Sequence, residues 1–202
     1  MPAKSSKQWL RDHFNDHYVK QAHQDGYRSR AVYKLEEINE RYKLFQPGMT
    51  IVDLGAAPGS WSQLITKLIG KKGKIIALDI LPMDPIEGVD FLQGDFNDEA
   101  VYAALLARIP NQKADWVISD MAPNLSGIDS VDQPKSIALA ELALEMAVAI
   151  LDKNGGMLIK VFQGCEFEGL LVRIRQHFKK VIIRKPKASR DKSREVYLLA
   201  RN

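Results

Sequence analysis

Lys160 stands in the middle of MLIKVFQG (157–164), an apolar run of strand character where a solvated lysine is out of place. An amine held there can serve as a base near a reacting hydroxyl. Four acids, Asp53, Asp79, Asp95 and Asp120, mark the ends of four successive strand-like runs. Any one of them reads as a helix cap or a turn residue. Together they point to a ligand at one end of a sheet. Asp79 follows Asp53 by 26 residues, and an acid at that place can accept both hydroxyls of an adenosine ribose. Asp95 could accept from an adenine amine, with Phe96 beside the ring.

The glycine-rich stretch VDLGAAPGSW (52–61) follows the first strand and opens a helix. Gly55 permits a tight turn and Gly59 close backbone approach, and amide N–H groups at the helix start face a ligand. A dinucleotide site would read G-x-G-x-x-G and a P-loop would supply Gly-Lys-Ser/Thr; neither pattern is present. A zwitterion such as S-adenosylmethionine carries no phosphate and tolerates a loop stiffened by Pro58. Taken alone, the loop is equally compatible with a glycine turn that only connects strand to helix.

The elements that must position these groups alternate between short apolar runs and longer helical patterns, which predicts βαβ units and a parallel sheet. Strands are expected at 49–54, 74–80, 89–95, 114–120 and 157–164. Helices are expected at 60–70, at 97–109 with Asn97 as cap, at 133–154 ended by Gly155-Gly156, and around 166–178. Two further runs, KKVIIRKP and SREVYLLARN, predict a hairpin that closes the sheet with an antiparallel strand. Ahead of the sheet, 29–44 reads as an amphipathic helix capped by Ser29, with Ala31, Leu35, Ile38 and Tyr42 on one face and Lys34 beside that stripe.

The chain has 202 residues, 46% hydrophobic and 27% charged, which suits one soluble domain. Cys165 is the single cysteine, so an intramolecular disulfide and a thiolate metal cluster are excluded. The absence of a run of about eighteen apolar residues or a signal-peptide core makes the cytoplasm the expected compartment, with no membrane partner. The net charge of +4 is unevenly spread: residues 1–34 carry +4, residues 35–172 carry −9 and residues 173–202 carry +9. Basic ends around an acidic middle suit a polyanion. The cations include Lys4, Lys7, Arg11, Lys20, Arg28 and Arg30 at one end, and Arg184, Lys185, Lys187, Arg190, Lys192 and Arg194 at the other. Trp9 and Tyr27 could stack on bases or pack the N-terminal segment onto the core. His13, His17, His23 and His177 do not suggest a metal site.

VDLGAAPGSW, SDMAPN (119–124), IKVFQG (159–164) and SREVY (193–197), placed after SRAVYKL (29–35), resemble the FtsJ/RlmE family of ribosomal RNA 2′-O-methyltransferases. The likeness covers nearly the whole chain in order and spacing. It implies a Rossmann-like α/β fold, the seven-stranded class I methyltransferase sheet with helices on both faces, over residues 29–202, with 1–28 as a basic extension. It implies S-adenosyl-L-methionine as cofactor, touched by Gly59, Trp61, Asp79, Asp95 and Asp120. It also implies a catalytic Lys-Asp-Lys-Glu tetrad of Lys34, Asp120, Lys160 and Glu195. The substrate implied is a ribose 2′-hydroxyl of large-subunit ribosomal RNA, a uridine of 23S rRNA in the assembled subunit, with no obligate protein partner and no metal. Ser60 departs from the family loop, which usually reads Ala-Pro-Gly-Gly-Trp, and little change in cofactor binding is expected from it.

The chemistry can be judged apart from the family. A 2′-hydroxyl is a poor nucleophile and must lose its proton as the methyl arrives, which needs a base within reach. An amine does this only where burial and a neighbouring cation offset neighbouring carboxylates. Lys160 is therefore expected to be the base, Asp120 to orient it, and Lys34 and Glu195 to balance the charge. A buried ion-pair network without chemistry, a nicotinamide oxidoreductase on the same sheet, a non-catalytic RNA-binding protein and a methyltransferase of transfer RNA or mRNA caps are the competing readings.

Overall fold

The computed structural model describes residues 16–124, 126–190 and 192–202. Trp9, His13, Lys4, Lys7 and Arg11 lie outside the described residues. The chain opens with helices α1 (His17–Gln24) and α2 (Val32–Tyr42), followed by β1 (Thr50–Leu54), α3 (Ser60–Ile69), β2 (Lys74–Asp79) and β3 (Val89–Gln93). Then come α4 (Glu99–Arg108), β4 (Ala114–Ser119), α5 (Asp129–Ile150), β5 (Leu151–Phe162), α6 (Phe167–His177), β6 (Lys180–Arg184) and β7 (Glu195–Arg201). The seven strands form one sheet in the order β3-β2-β1-β4-β5-β7-β6. All pairings from β3 to β5 are parallel, and β7 runs antiparallel to both of its neighbours. This is the α/β sheet of class I methyltransferases expected from the sequence.

Each strand buries alternate residues on opposite faces, so two cores form. Val52, Leu54, Ile76, Leu78, Val117, Met157 and Ile159 pack under α4, α5 and α6. Ile51, Ile75, Ile118, Leu158, Tyr197 and Leu199 pack under α1, α2 and α3. Parity decides which face carries chemistry. In β5, Lys160 shares the face of Leu158; in β7, Glu195 shares the face of Tyr197; Asp120, just past β4, shares the face of Ile118. All three therefore point to the side that α2 covers. The antiparallel register sets Lys160 opposite Tyr197 and Phe162 opposite Glu195. The start of β7 thus lies beside the end of β5, which a parallel strand could not achieve.

Several elements differ from the sequence expectation in identifiable ways. The last hairpin does not simply extend the sheet: β7 inserts between β5 and β6, leaving β6 at the edge. Helix α4 is capped by Asp98, whose side chain accepts from the Ala100 amide, and Asn97 serves Asp95 instead. Helix α5 starts at Asp129, with Pro134 inside it. The Asp132 carboxylate accepts from the Ser126 and Gly127 amides and ties the preceding loop to that first turn. Its end comes at Ile150, and residues through Gly155-Gly156 join β5, across a register irregularity between Ala114 and Trp116. Ser29 does not cap α2; Ala31 holds that place with no side-chain bond, and Val32 and Tyr33 join Leu35 and Ile38 in the buried face. Asp53 is not at a strand end but within β1, 1% exposed.

Gly156 leaves room for a neighbour. A Cβ there would come within 2.5 Å of the Trp116 ring, which is buried against Phe45. Gly156→Ala is expected to lower unfolding stability by about 1–3 kcal/mol through overpacking. A chemical denaturation midpoint equal to wild type would contradict that.

Candidate active site

The loop after β1 is shaped by glycine conformation. Gly55 has φ +74 and a Cβ would strike Met121 at 2.5 Å; Gly59 has φ +107 and caps α3. The backbone can therefore turn sharply beneath the ends of β1 and β4. A cavity of about 300 Å³ opens there. Gly55 and Ala57 form one wall, Asp79, Ile80 and Leu81 a second, and Asp95, Phe96 and Asn97 a third, with Asp120 and Met121 at the inner end.

Three of the five sequence-expected cofactor residues line this cavity: Asp79, Asp95 and Asp120. Asp79 is fixed by two amides, Ala57 N–H donating to one carboxylate oxygen at 2.8 Å and Leu81 N–H to the other at 2.9 Å. Oxygens so held keep lone pairs for a diol. In Asp95, Oδ1 accepts from both the main-chain and side-chain nitrogens of Asn97. The main-chain bond, then the side-chain bond, holds this carboxyl below the usual aspartate range. Gly59 and Trp61 are not in the cavity lining. Gly59 faces Met83, Ile86 and Arg28. Trp61 is 3% exposed, donates its indole N–H to the Ala31 carbonyl at 2.8 Å and packs its ring 5.8 Å from that of Tyr197.

The four tetrad residues meet in two ion pairs. Lys160 Nζ lies 3.1 Å from Asp120 Oδ1 and also donates to the Asp120 carbonyl. Lys34 Nζ lies 2.7 Å and 2.9 Å from the two oxygens of Glu195. Two side chains that the sequence reading did not assign to the site join the pairs. The Tyr197 hydroxyl donates to Asp120 Oδ1 at 2.7 Å, and the Lys34 ammonium sits 5.8 Å from the Tyr197 ring centre. The Ser189 hydroxyl, buried, donates to Glu195 Oε1 at 2.8 Å. Tyr197 could have been found, since it lies two residues after Glu195 and so on the same strand face. Ser189 belongs to a basic loop and carries no such signal.

These contacts set the charges. Burial would raise the Asp120 carboxyl, but Lys160, then Lys34, and the hydroxyl of Tyr197 hold it below the ordinary aspartate range. Burial, then Asp120 and Glu195, pushes the Tyr197 hydroxyl well above its usual value, so it remains a donor. Asp120 is the joint between the two halves of the site, lining the cavity while holding Lys160. The cavity also fits the expected cofactor in its chemistry: Leu78, Ile80, Phe96, Leu139 and Leu142 give apolar walls that suit a nucleobase, and the carboxylates of Asp79, Asp95 and Asp120 are acceptors of the kind that ribose hydroxyls and a cationic sulfonium need.

The basic segments are partly consumed by structure. Arg30 pairs with Asp16, donates to the Ala188 carbonyl and stacks 5.3 Å over the Tyr18 ring. Arg184 donates to the Tyr42 hydroxyl, and Lys185 to the Ser193 carbonyl at 2.7 Å. Arg30 and Lys185, expected as polyanion contacts, thus hold the loop between β6 and β7, and Arg184, expected likewise, ties β6 to α2. Tyr27 packs on the core, with Lys67 4.3 Å from its ring centre.

The chain was compared with known proteins. A sequence profile of FtsJ-like methyltransferases matches residues 27–202. A Plasmodium falciparum crystal structure, provisionally described as a ribosomal RNA methyltransferase, superposes with a TM-score of 0.78 at 31% identity, covering 87% of this chain and 98% of the other. Two more distant structures share the fold alone. Methanococcus jannaschii fibrillarin, a pre-rRNA processing protein, matches at TM-score 0.55 and 16% identity, covering 78% of this chain and 67% of its own. A Clostridium thermocellum protein provisionally described as an rRNA methylase matches at TM-score 0.55 and 16% identity, over 83% and 96% of the two chains.

Asp53 offers a test of the electrostatics. Its Oδ2 accepts from the Ser62 hydroxyl at 2.7 Å, while its buried Oδ1 has no hydrogen-bond partner among the described residues. Burial pushes this carboxyl up to about 7; the Ser62 bond opposes the rise, and Asp120 and Asp79 add to it. The folded chain therefore binds this proton more tightly than the unfolded chain. The resulting stability is fully present below about pH 4 and is lost as pH rises through about 7. Asp53→Asn should remove that dependence, so that wild type loses up to about 4 kcal/mol relative to the variant between pH 4 and pH 8. Parallel denaturation profiles for the two proteins across that window would refute the assignment.

Proposed function

The chain belongs to the FtsJ-like methyltransferase family, and from that premise we propose that it methylates a ribose 2′-hydroxyl of large-subunit ribosomal RNA, a uridine of 23S rRNA in the assembled subunit. S-adenosylmethionine is the cofactor of the family; it supplies an electrophilic methyl on a sulfonium and leaves as a neutral thioether. We assign its adenosine to Asp79 and Asp95 and its inner end to Asp120, with Gly59 and Trp61 shaping the loop and helix behind. We take residues 29–202 as the methyltransferase domain and 1–28 as a basic extension, of which α1 packs on the core. The Plasmodium relative's description supports ribosomal RNA as substrate, and a ribosomal substrate sets the protein in the cytoplasm.

The observation that carries this reading is the Lys160 amine, 3.1 Å from a carboxylate that also lines the cofactor cavity. The substrate hydroxyl is deprotonated by Nζ of Lys160 as its oxygen gains the methyl, and the proton then passes to solvent. Asp120, itself held by Tyr197, holds the amine beside the cavity that it lines. Lys34 sets a second positive charge near Asp120. Glu195 pairs with Lys34 and balances its charge. Apposed charges of this kind stabilise a developing oxyanion without metal chemistry being required of these side chains.

Lys160→Ala should lower the rate of methyl transfer by roughly 10²–10⁴-fold while cofactor affinity stays within about twofold of wild type. The assay is transfer of labelled methyl to large subunits from cells lacking the protein, followed by mapping of the modified ribose; transfer RNA serves as a parallel substrate. Turnover retained in the variant would overturn the base assignment, and label found only on transfer RNA would overturn the substrate. The logarithm of the affinity for RNA should also fall linearly with the logarithm of salt concentration. A salt-independent affinity would rule out phosphate contacts by the basic segments.

A further inference from the structure

Arg28 lies in the connection between α1 and α2, outside both the cavity lining and the tetrad. Its guanidinium Nη1 donates to the Pro58 carbonyl at 3.0 Å and the Asp84 carbonyl at 2.7 Å, and Nη2 to the Pro85 carbonyl at 3.0 Å. Among the described residues it forms no ion pair with a carboxylate within 4.0 Å. Its donors go to main-chain oxygens of two different loops. Pro58 belongs to the loop after β1, whose Gly55 and Ala57 wall the cavity; Asp84 and Pro85 belong to the loop after β2, whose Ile80 and Leu81 form the facing wall. The side chain is thus a crosslink placed behind the cavity, joining its two walls.

Neighbouring contacts fix the guanidinium there. The Arg28 amide donates to Gln63 Oε1 at 2.9 Å, and Gln63 Nε2 donates to the Gly26 carbonyl at 3.2 Å. The hydroxyls of Ser29 and Ser60 are 2.7 Å apart, a second link from this connection to the start of α3. Gly59 also leaves space for it: a Cβ there would lie 3.0 Å from Arg28 Nη1. We infer that Arg28 is a positioning residue for the cofactor: its planar fork joins the loops after β1 and β2, and cofactor affinity depends on that join. This inference rests on the cofactor of the family and not on which RNA is methylated. An arginine fork can address carbonyls on two loops at once, while a lysine supplies a compact point charge on a different geometry.

The test is binding of S-adenosylmethionine, and of its demethylated product, to wild type, Arg28→Lys and Arg28→Gln without RNA. Both variants should bind about tenfold more weakly, with faster amide exchange at Ala57 and Leu81. At saturating cofactor, the turnover rate and the KM for RNA should stay within about twofold of wild type, and the rise should fall on the KM for cofactor. Unchanged cofactor affinity with a raised KM for RNA would make Arg28 a phosphate contact and overturn the inference. Full rescue by Arg28→Lys would assign the effect to charge and overturn it as well. Should the Gln variant fail to fold, the Lys variant and the exchange rates of the two amides still decide the matter. Wild type that binds cofactor but leaves ribosomal RNA unmethylated would defeat the substrate proposal and leave this one standing.

Discussion

Two ammonium groups and two carboxylates can share one partly buried space only if each charge has a fixed opposite partner. An unpaired charge taken from water costs several kcal/mol, of the order that holds a whole domain together. Here the pairs are Lys160 with Asp120 and Lys34 with Glu195. Each carboxylate is steadied by one further hydroxyl, Tyr197 on Asp120 and Ser189 on Glu195. Separating either pair would leave a charge without its partner in this partly buried space. The charge balance is thus held by geometry, and a substrate hydroxyl would meet amines whose positions are already determined.

That geometry comes from topology. Lys34, Asp120, Lys160 and Glu195 come from a helix ahead of the sheet, the end of β4, the end of β5 and the start of β7. Parallel strands bring the ends of β4 and β5 to one edge, where open α/β sheets bind ligands. A parallel seventh strand would have placed its start at the opposite edge. Inserting β7 antiparallel between β5 and β6 brings Glu195 and Tyr197 to the same edge. The loop before β7 is in turn held down by Arg30 on the Ala188 carbonyl and by Glu37 accepting the Lys187 amide at 2.7 Å. Some of the positive charge at the two ends of the chain thereby serves assembly of the site.

How much of this was legible in the sequence depends on what kind of interaction made each part. The central strands were, because buried parallel strands are short apolar runs, and Lys160 showed as a cation interrupting one. The acids at Asp79, Asp95 and Asp120 showed because they punctuate those runs. Their assembly with Lys34 and Glu195 spans most of the chain, and spacing alone does not reveal contacts that the strand order creates; family resemblance supplied it. Asn97 and Asp98 have the same capping chemistry, so the choice between them was a matter of which side chain Asp95 had already engaged. The start of α5 was misplaced because Pro134 resembles a first-turn proline, whereas the loop anchored by Asp132 begins the helix a turn earlier. Ser189 was invisible because it reaches Glu195 only after loop closure.

Asp120 is the point at which these levels converge. Its Oδ1 receives both Lys160 and Tyr197, and the residue also lines the cavity. Burial opposes its ionisation, and the two lysines with Tyr197 more than restore it. A cationic ligand entering the cavity would add a third positive charge near the same carboxylate. Such a charge favours the ionised carboxylate. The group that orients the amine is thus also the group through which a bound cation and that amine feel one another. Filling the cavity and holding Lys160 thus fall to one carboxylate.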